Sequence, residues 1–466
     1  MKKIIIVGFF SLLLLGICIF SLLKEKPTVT ASNSRNIHPD ASLVVEIEPK
    51  SILKAVDETL AFINDLTSAP FLKRVFGETP KVEVPPEVRD ITSVRIIGKG
   101  EGIALELKSN SAHKLKALLE ERPEVIKVSE YNYIISYDNK DLNLEFKEDG
   151  VIGLFQAKSI EDFYIIGDGL DFTPPSGASI SYFIDREKAS LLFPSLAQHQ
   201  SFVKTYGDVS FGNGVKSTVC QITDKEWGEA QRISISETAS VFQTLISDSS
   251  IMGIGFTGGY IRSRAKVLKL YFSNEIVSKV IKDKDVKEAL DRALKHESLI
   301  SDFPFTELNL IIEAQNNIPD GFILLSGPKS GADQFLVRLK TLLDDLELPT
   351  VLSKDNEGRD LLLNTKTLPL TARYLSDGSV LISQPDRELT RSNPIDYYNG
   401  SYLSHYLSTK PLIGALTPFT AIYSLQNPQE FRDFVKKLHF KVGSKKIGQE
   451  KRQNEFCHII NVNVLG

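Results

Sequence analysis

Apolar residues recur with a period of two at Leu43, Val45 and Ile47, and again at Ile180, Tyr182 and Ile184. That is the spacing of a strand with one buried face. Each set follows a polar lead-in that starts at a proline, Pro39 or Pro175, and each is followed by helix-like residues. The pattern therefore predicts that the chain opens a module twice.

After the first opening, Ser51 is placed to cap a helix whose Ile52, Leu53, Val56, Leu60 and Ile63 fall on one face. Residues 94–97 and 103–107 read as two short strands joined by Gly98-Lys99-Gly100-Glu101-Gly102, a hairpin composition. A helix from Ser111 turns Leu115, Leu118 and Leu119 inward, and five short strand patterns follow between 125 and 166. The same order returns at 308–312, 322–325, a helix over 332–346 and strands between 361 and 382. Runs of strands with a helix laid against them predict an α+β fold: two repeated modules with mainly antiparallel sheets and packed helices. The divisions expected are 1–26, 27–38 as a polar tether, 39–171, 172–392 and a C-terminal part at 393–466. The second module would carry an insertion near 206–300, with a strand over 260–272 and a charged helix from 274 to about 299.

Residues 4–23 form an uncharged apolar run between Lys2-Lys3 and Lys24-Glu25-Lys26. Its length suits a bilayer-spanning helix and exceeds the apolar core of most cleaved leaders. Val29-Thr30-Ala31 resembles a cleavage site, so a signal peptide is the alternative to an anchor; Ile17 before Cys18 argues against a lipoprotein signal. With an anchor, the flanking lysines place the short end in the cytoplasm and the bulk of the chain on the periplasmic side of the inner membrane.

The chain has 55 basic and 59 acidic residues and a formal charge of −4. The apolar leader and its flanks hold four of the lysines and one glutamate, so the remainder is more acidic still. Such a balance argues against nucleic acid as a partner. Of three cysteines, Cys18 lies in the apolar run, which leaves Cys220 and Cys457 either as one bridge or as two buried thiols.

No motif names a reaction, cofactor or metal. Gly253-Ile254-Gly255-Phe256-Thr257-Gly258 matches a dinucleotide fingerprint only in its glycines and reads as a turn before a strand. Gly327-Pro328-Lys329-Ser330 lacks the first glycine of a phosphate loop, and the seven histidines show no metal-ligand spacing. Cys457-His458 pairs two ligand types, but neighbours in a strand face opposite ways.

Arg262, Arg264 and Lys266 share one parity with Leu268, Leu270 and Phe272. In a strand they would make a face half cationic and half apolar, suited to the head and tail of an anionic lipid. A second cationic cluster comprises Lys436, Lys437, Lys441, Lys445, Lys446, Lys451 and Arg452.

The apolar leader, the tether, the Pro-x-Ala-Ser-Leu-Val-Val opening at Pro39 to Val45 and the Ser51-Ile52-Leu53 helix start resemble the large bacterial families of secreted or membrane-anchored proteins classed as domains of unknown function. That resemblance implies an envelope location and carries no functional residue. The sequence thus leads to an anchored envelope protein with a binding or scaffolding role, whose partners are the inner membrane and envelope proteins or anionic lipid. The alternatives are a carrier or sensor for an amphiphile and, behind it, an unrecognised hydrolase.

Overall fold

The computed structural model describes residues 36–67, 84, 86–122, 124–137, 140–170, 172, 177–198, 201–212, 214–272, 295–315, 318–345, 350–354, 361–365, 370–385, 387–389, 391–392, 401–410, 429, 436 and 439–465. The apolar run at 4–23 and its proposed tether up to residue 35 lie outside them. No helix among the described residues is long and apolar enough to cross a membrane. The chain divides into two units, Met1–Asp224 and Lys225–Gly466.

In the first unit, ten strands form one antiparallel sheet: β1 (Leu43–Ile47), β2 (Ile91–Lys99), β3 (Gly102–Ser109), β4 (Val125–Lys127), β5 (Asn132–Tyr137), β6 (Lys140–Lys147), β7 (Gly150–Phe155), β8 (Ile180–Asp185), β9 (Lys204–Phe211) and β10 (Gly214–Ile222). Across the sheet their order is β10-β9-β8-β1-β2-β3-β7-β6-β5-β4. Helix α1 (Pro49–Thr67) follows β1, and α2 (Ala112–Glu120) follows β3.

The opening strand is apolar at consecutive positions because both of its faces are covered. Val44 packs with Ile97, Ala104, Phe163 and Phe183 on one side. Val45 and Ile47 pack with Ile52 of α1, Val94 and Ile180 on the other. The β2–β3 turn needs a left-handed residue, and Gly100, at φ +58°, supplies it. At the far end, Leu115 and Leu119 of α2 lie on Tyr133, Leu144, Phe146 and Val151. Leu118, expected beside them, is instead 39% exposed.

In the second unit, too, ten described strands form the sheet: β11 (Ser250–Thr257), β12 (Glu307–Gln315), β13 (Ile318–Ser326), β14 (Thr350–Lys354), β15 (Leu361–Thr365), β16 (Thr371–Tyr374), β17 (Val380–Ser383), β18 (Leu403–Ser408), β19 (Lys441–Arg452) and β20 (Glu455–Leu465). Their order is β20-β19-β18-β11-β12-β13-β17-β16-β15-β14. Adding ten to each strand number of the first unit reproduces that order. Helix α3 (Lys225–Ile235) precedes β11, α4 (Gly258–Phe272) follows it, and α5 (Ala332–Asp345) follows β13. Phe303, Phe305, Leu325 and Leu336 form one core and Phe242, Ile311, Leu324 and Tyr406 another.

These pairings correct the α+β reading of two modules with packed helices. Among the described residues the fold is mostly antiparallel sheet, with 45% strand and 27% helix. Ile180–Asp185 does not open a module: as β8 it hydrogen-bonds along β1, Ile180 opposite Ile47 and Ile184 opposite Leu43. The second opening strand is Ser250–Thr257, inside what the sequence marks as an insertion. The C-terminal part supplies β18, β19 and β20, and β18 pairs with β11. Most of the charged helix expected from residue 274 lies outside the described residues.

Cys220 in β10 and Cys457 in β20 are both buried, at 1% and 0% exposure.

Candidate functional site

Residues 260–272 are helical, not extended, because their amino end is capped twice. The Thr257 hydroxyl accepts from Tyr260 N at 3.2 Å, and a Glu237 carboxylate oxygen accepts from Gly259 N at 2.5 Å. A side-chain oxygen at the cap and an anion at the positive helix end both stabilise this turn. Arg262 and Lys266, four residues apart, then share a side of α4, and Arg264 leaves from a different one. The mixed cationic and apolar face expected of Arg262, Arg264 and Lys266 is therefore not formed.

Each of the three has a separate setting. Arg262 pairs with Glu237 and donates to Phe303 O at 2.9 Å, so it ties α4 to its surroundings. Lys266 is exposed. The Arg264 guanidinium lies over the Tyr260 ring, 4.7 Å from its centroid, and its buried Nε has no hydrogen-bond partner.

Around Arg264 the chain gathers rings and nitrogen donors from distant segments. Tyr260 stacks on Phe256 at 5.7 Å and meets Tyr402 at 5.4 Å. The Tyr402 hydroxyl is 2.8 Å from His458 Nδ1. Lys446 of β19 sits opposite Ile460 of β20, and His458 sits opposite Gly448, so Lys446 and His458 share a sheet face as diagonal neighbours. Gly448 is glycine because a Cβ there would come within 2.9 Å of His458 Nδ1 and 2.3 Å of Ile235 Cγ2.

Electrostatics define what this cluster can hold. Burial, then the Arg264 charge, pushes the Lys446 ammonium down to about 8. Burial, then the charges of Lys446 and Arg264, pushes the His458 imidazole down to about 3. Tyr402 is raised, chiefly by burial, so its phenol keeps its proton. A phenol that keeps its proton can donate to Nδ1 of the neutral imidazole, and in that tautomer the histidine's own proton sits on Nε2. That Nε2 is buried and has no partner. Arg264 Nε, His458 Nε2 and Lys446 Nζ are thus all donors, and no described carboxylate pairs with any of them. An arrangement of donors and positive charge without an acceptor is complementary to an anion.

Sequence reasoning reached Arg264 by a wrong geometry and placed Lys446 in a solvated basic stretch. It missed Tyr402 and His458, which have no local signature and join the site only through strand pairing. Others of that basic stretch are engaged elsewhere: Lys441 with Asp248 at 2.9 Å and Arg452 with Glu455 at 3.6 Å. Lys437 lies outside the described residues.

The glycine fingerprint does run from strand into helix, as a nucleotide site would, but its glycines serve packing. Side chains of Phe242, Ile246 and Ile311 stand within 3.0 Å of where a Gly253 Cβ would be, and Phe242 within 2.8 Å at Gly255. Among the described residues no group of His, Cys, Asp and Glu is arranged to hold a metal ion.

No protein family matches the chain, and no curated protein does. Solved structures with partial likeness are crystal forms III, IV and I of TP0453, at 9%, 11% and 10% identity. They cover 45%, 42% and 43% of this chain and 89%, 83% and 81% of that one, with TM-scores of 0.27, 0.27 and 0.23. Scores this low establish neither a shared topology nor a shared role.

Proposed function

We propose that this is an envelope binding protein, held at the inner membrane by residues 4–23 with its bulk on the periplasmic side, and that its second unit receives the anionic group of a ligand. The observation that supports this reading is the meeting of Arg264, Lys446 and His458 with no acid among the described residues, beside the rings of Tyr260 and Tyr402. Aromatic faces next to cationic donors suit an acidic head attached to an apolar body, as in a phospholipid. Arg262 and Lys266 are not part of that site.

The test is isolation of the full chain from native envelopes, with mass spectrometry of the co-purifying lipids. Wild type should retain acidic lipids over zwitterionic ones, and Arg264→Gln should lose that selectivity while remaining folded and in the membrane fraction after a high-salt wash. Equal lipid profiles for the two proteins would remove the site. Recovery of the wild type in the salt wash would remove the anchor.

A further inference from the structure

The first unit carries a separate depression at the end of its sheet where four segments meet. It encloses about 550 Å³ and is bordered by Asp40, the β2–β3 turn, the chain leaving β7 and the stretch Lys188 to Leu191. That volume lies within the range of small-molecule sites. Ala157 and Leu191 give it accessible apolar surface, with Phe163 beneath. Phe163 is fully buried, and Leu191 is 61% exposed at the rim.

Three lysines from three segments reach this depression, Lys99, Lys158 and Lys188, together with Asp40, Glu101 and Asp162. Formal charges balance, but the pairings do not. Asp40 is taken by Lys188 at 3.2 Å, which holds its carboxyl below the usual range. A carboxylate oxygen of Asp162 accepts from Ser159 N at 3.3 Å to close a capping box. Lys99 donates only to a backbone carbonyl, that of Asp162, at 2.8 Å. Lys158 has no partner among the described residues. Among the described residues Lys158 therefore remains without a carboxylate, and Lys99 has only the more distant charge of Asp40, already paired with Lys188, with Glu101 on the turn.

We infer that this depression is a binding site for a small monocarboxylate with an apolar body, its acid between Lys99 and Lys158 and its body against Ala157 and Leu191. The site is independent of the cluster around Arg264 and belongs to the other unit. Its occupant is a soluble acid small enough to enter the depression whole, not a bilayer lipid.

The full chain in lipid nanodiscs is titrated with 3-phenylpropanoate, its amide and 3-phenylpropylamine, and binding is read by ligand-observed NMR. The carboxylate should bind the wild type, with amide and amine weaker by roughly fivefold or more, the scale of an exposed ion pair. Lys158→Glu should weaken the carboxylate by a similar factor and strengthen the amine, and Leu191→Ser should weaken all three. Both positions are exposed, so the fold tolerates both changes. Lys266→Gln, which lies outside both sites, should leave these affinities unchanged. The proposal falls if no probe binds, if the amine binds the wild type as tightly as the acid, or if Lys158→Glu leaves the acid's affinity unaltered. It falls equally if Arg264→Gln abolishes binding, because the acid would then be using the second unit's cluster.

Discussion

His458 Nδ1 and the Tyr402 hydroxyl lie 2.8 Å apart in the second unit, and both residues are 2% exposed. Burial keeps the imidazole of this pair neutral. Its protonation is therefore a cost to the fold. With a folded value of about 3 against an ordinary 6.5, the unfolded chain binds the proton more readily throughout that window.

The contribution of this residue should accordingly be complete above pH 6.5 and be lost as pH drops towards 3, by an amount on the order of a few kcal/mol. His458→Asn, which cannot take up the proton, should lose less between pH 7 and pH 4.5 than the wild type. Urea midpoints of both proteins at the two pH values check this. An equal loss in the two would place the acid sensitivity elsewhere.

Lys446 has the same sign at higher pH. Its folded value of about 8 lies below the ordinary 10.5, so stability should rise as pH increases between the two. Anion binding should move the opposite way, because the ligand needs the charged ammonium. Affinity for an acidic lipid headgroup should therefore fall above about pH 8, and Lys446→Arg should extend binding to higher pH. Binding isotherms from pH 6 to 10 decide it.

Arg262 and Arg264, two residues apart, should separate stability from binding. Removing Glu237 leaves the amide of Gly259 and the guanidinium of Arg262 without their carboxylate. Glu237→Ala should cost about 1–2 kcal/mol, the scale of a lost helix cap. Arg264→Gln should alter stability little and lose the anion, and Lys266→Gln should change neither. Thermal melts and lipid binding measured on the same three variants provide the comparison.

The side chain of Arg387 is 5% exposed and pairs with both Glu313 and Asp320, which face each other across β12 and β13. Its guanidinium also lies 4.4 Å from the Phe322 ring centroid. Arg387→Ala would leave two facing carboxylates without their cation. The expected loss is about 3–5 kcal/mol, as for other broken buried ion pairs. Arg387→Lys should recover only part of it, since one ammonium cannot match the two-sided fork. Denaturant unfolding measures both.

The parts of this fold legible in the chain were those decided within about twenty residues. Both hairpins, the α2 and α5 helices and the meanders that follow them have local turn chemistry and periodicity, so their order could be read directly. Long-range partners could not. Ile180, Tyr182 and Ile184 look like an opening strand because they are half buried, and nothing in their composition says that they close the first sheet against β1. Arg262, Arg264 and Lys266 misled for a related reason: in a thirteen-residue stretch rich in aromatic and branched residues, alternation resembled a strand. The helix is decided by Thr257 and by Glu237, the latter twenty-two residues before Gly259.

In both units the strand that opens the sheet ends near its middle. Leu43–Ile47 is flanked by β2 and β8, and Ser250–Thr257 by β12 and β18. During synthesis the first of these flanks arrives early and the second only much later. A row of unpaired backbone amides and carbonyls thus stays open on a growing chain until Ile180–Asp185, and later Leu403–Ser408, has been made. Open edges of that kind invite pairing with other chains. The protein should be most prone to aggregation while incomplete, and truncation just before residue 403 should be far more damaging than the loss of the same length from a loop.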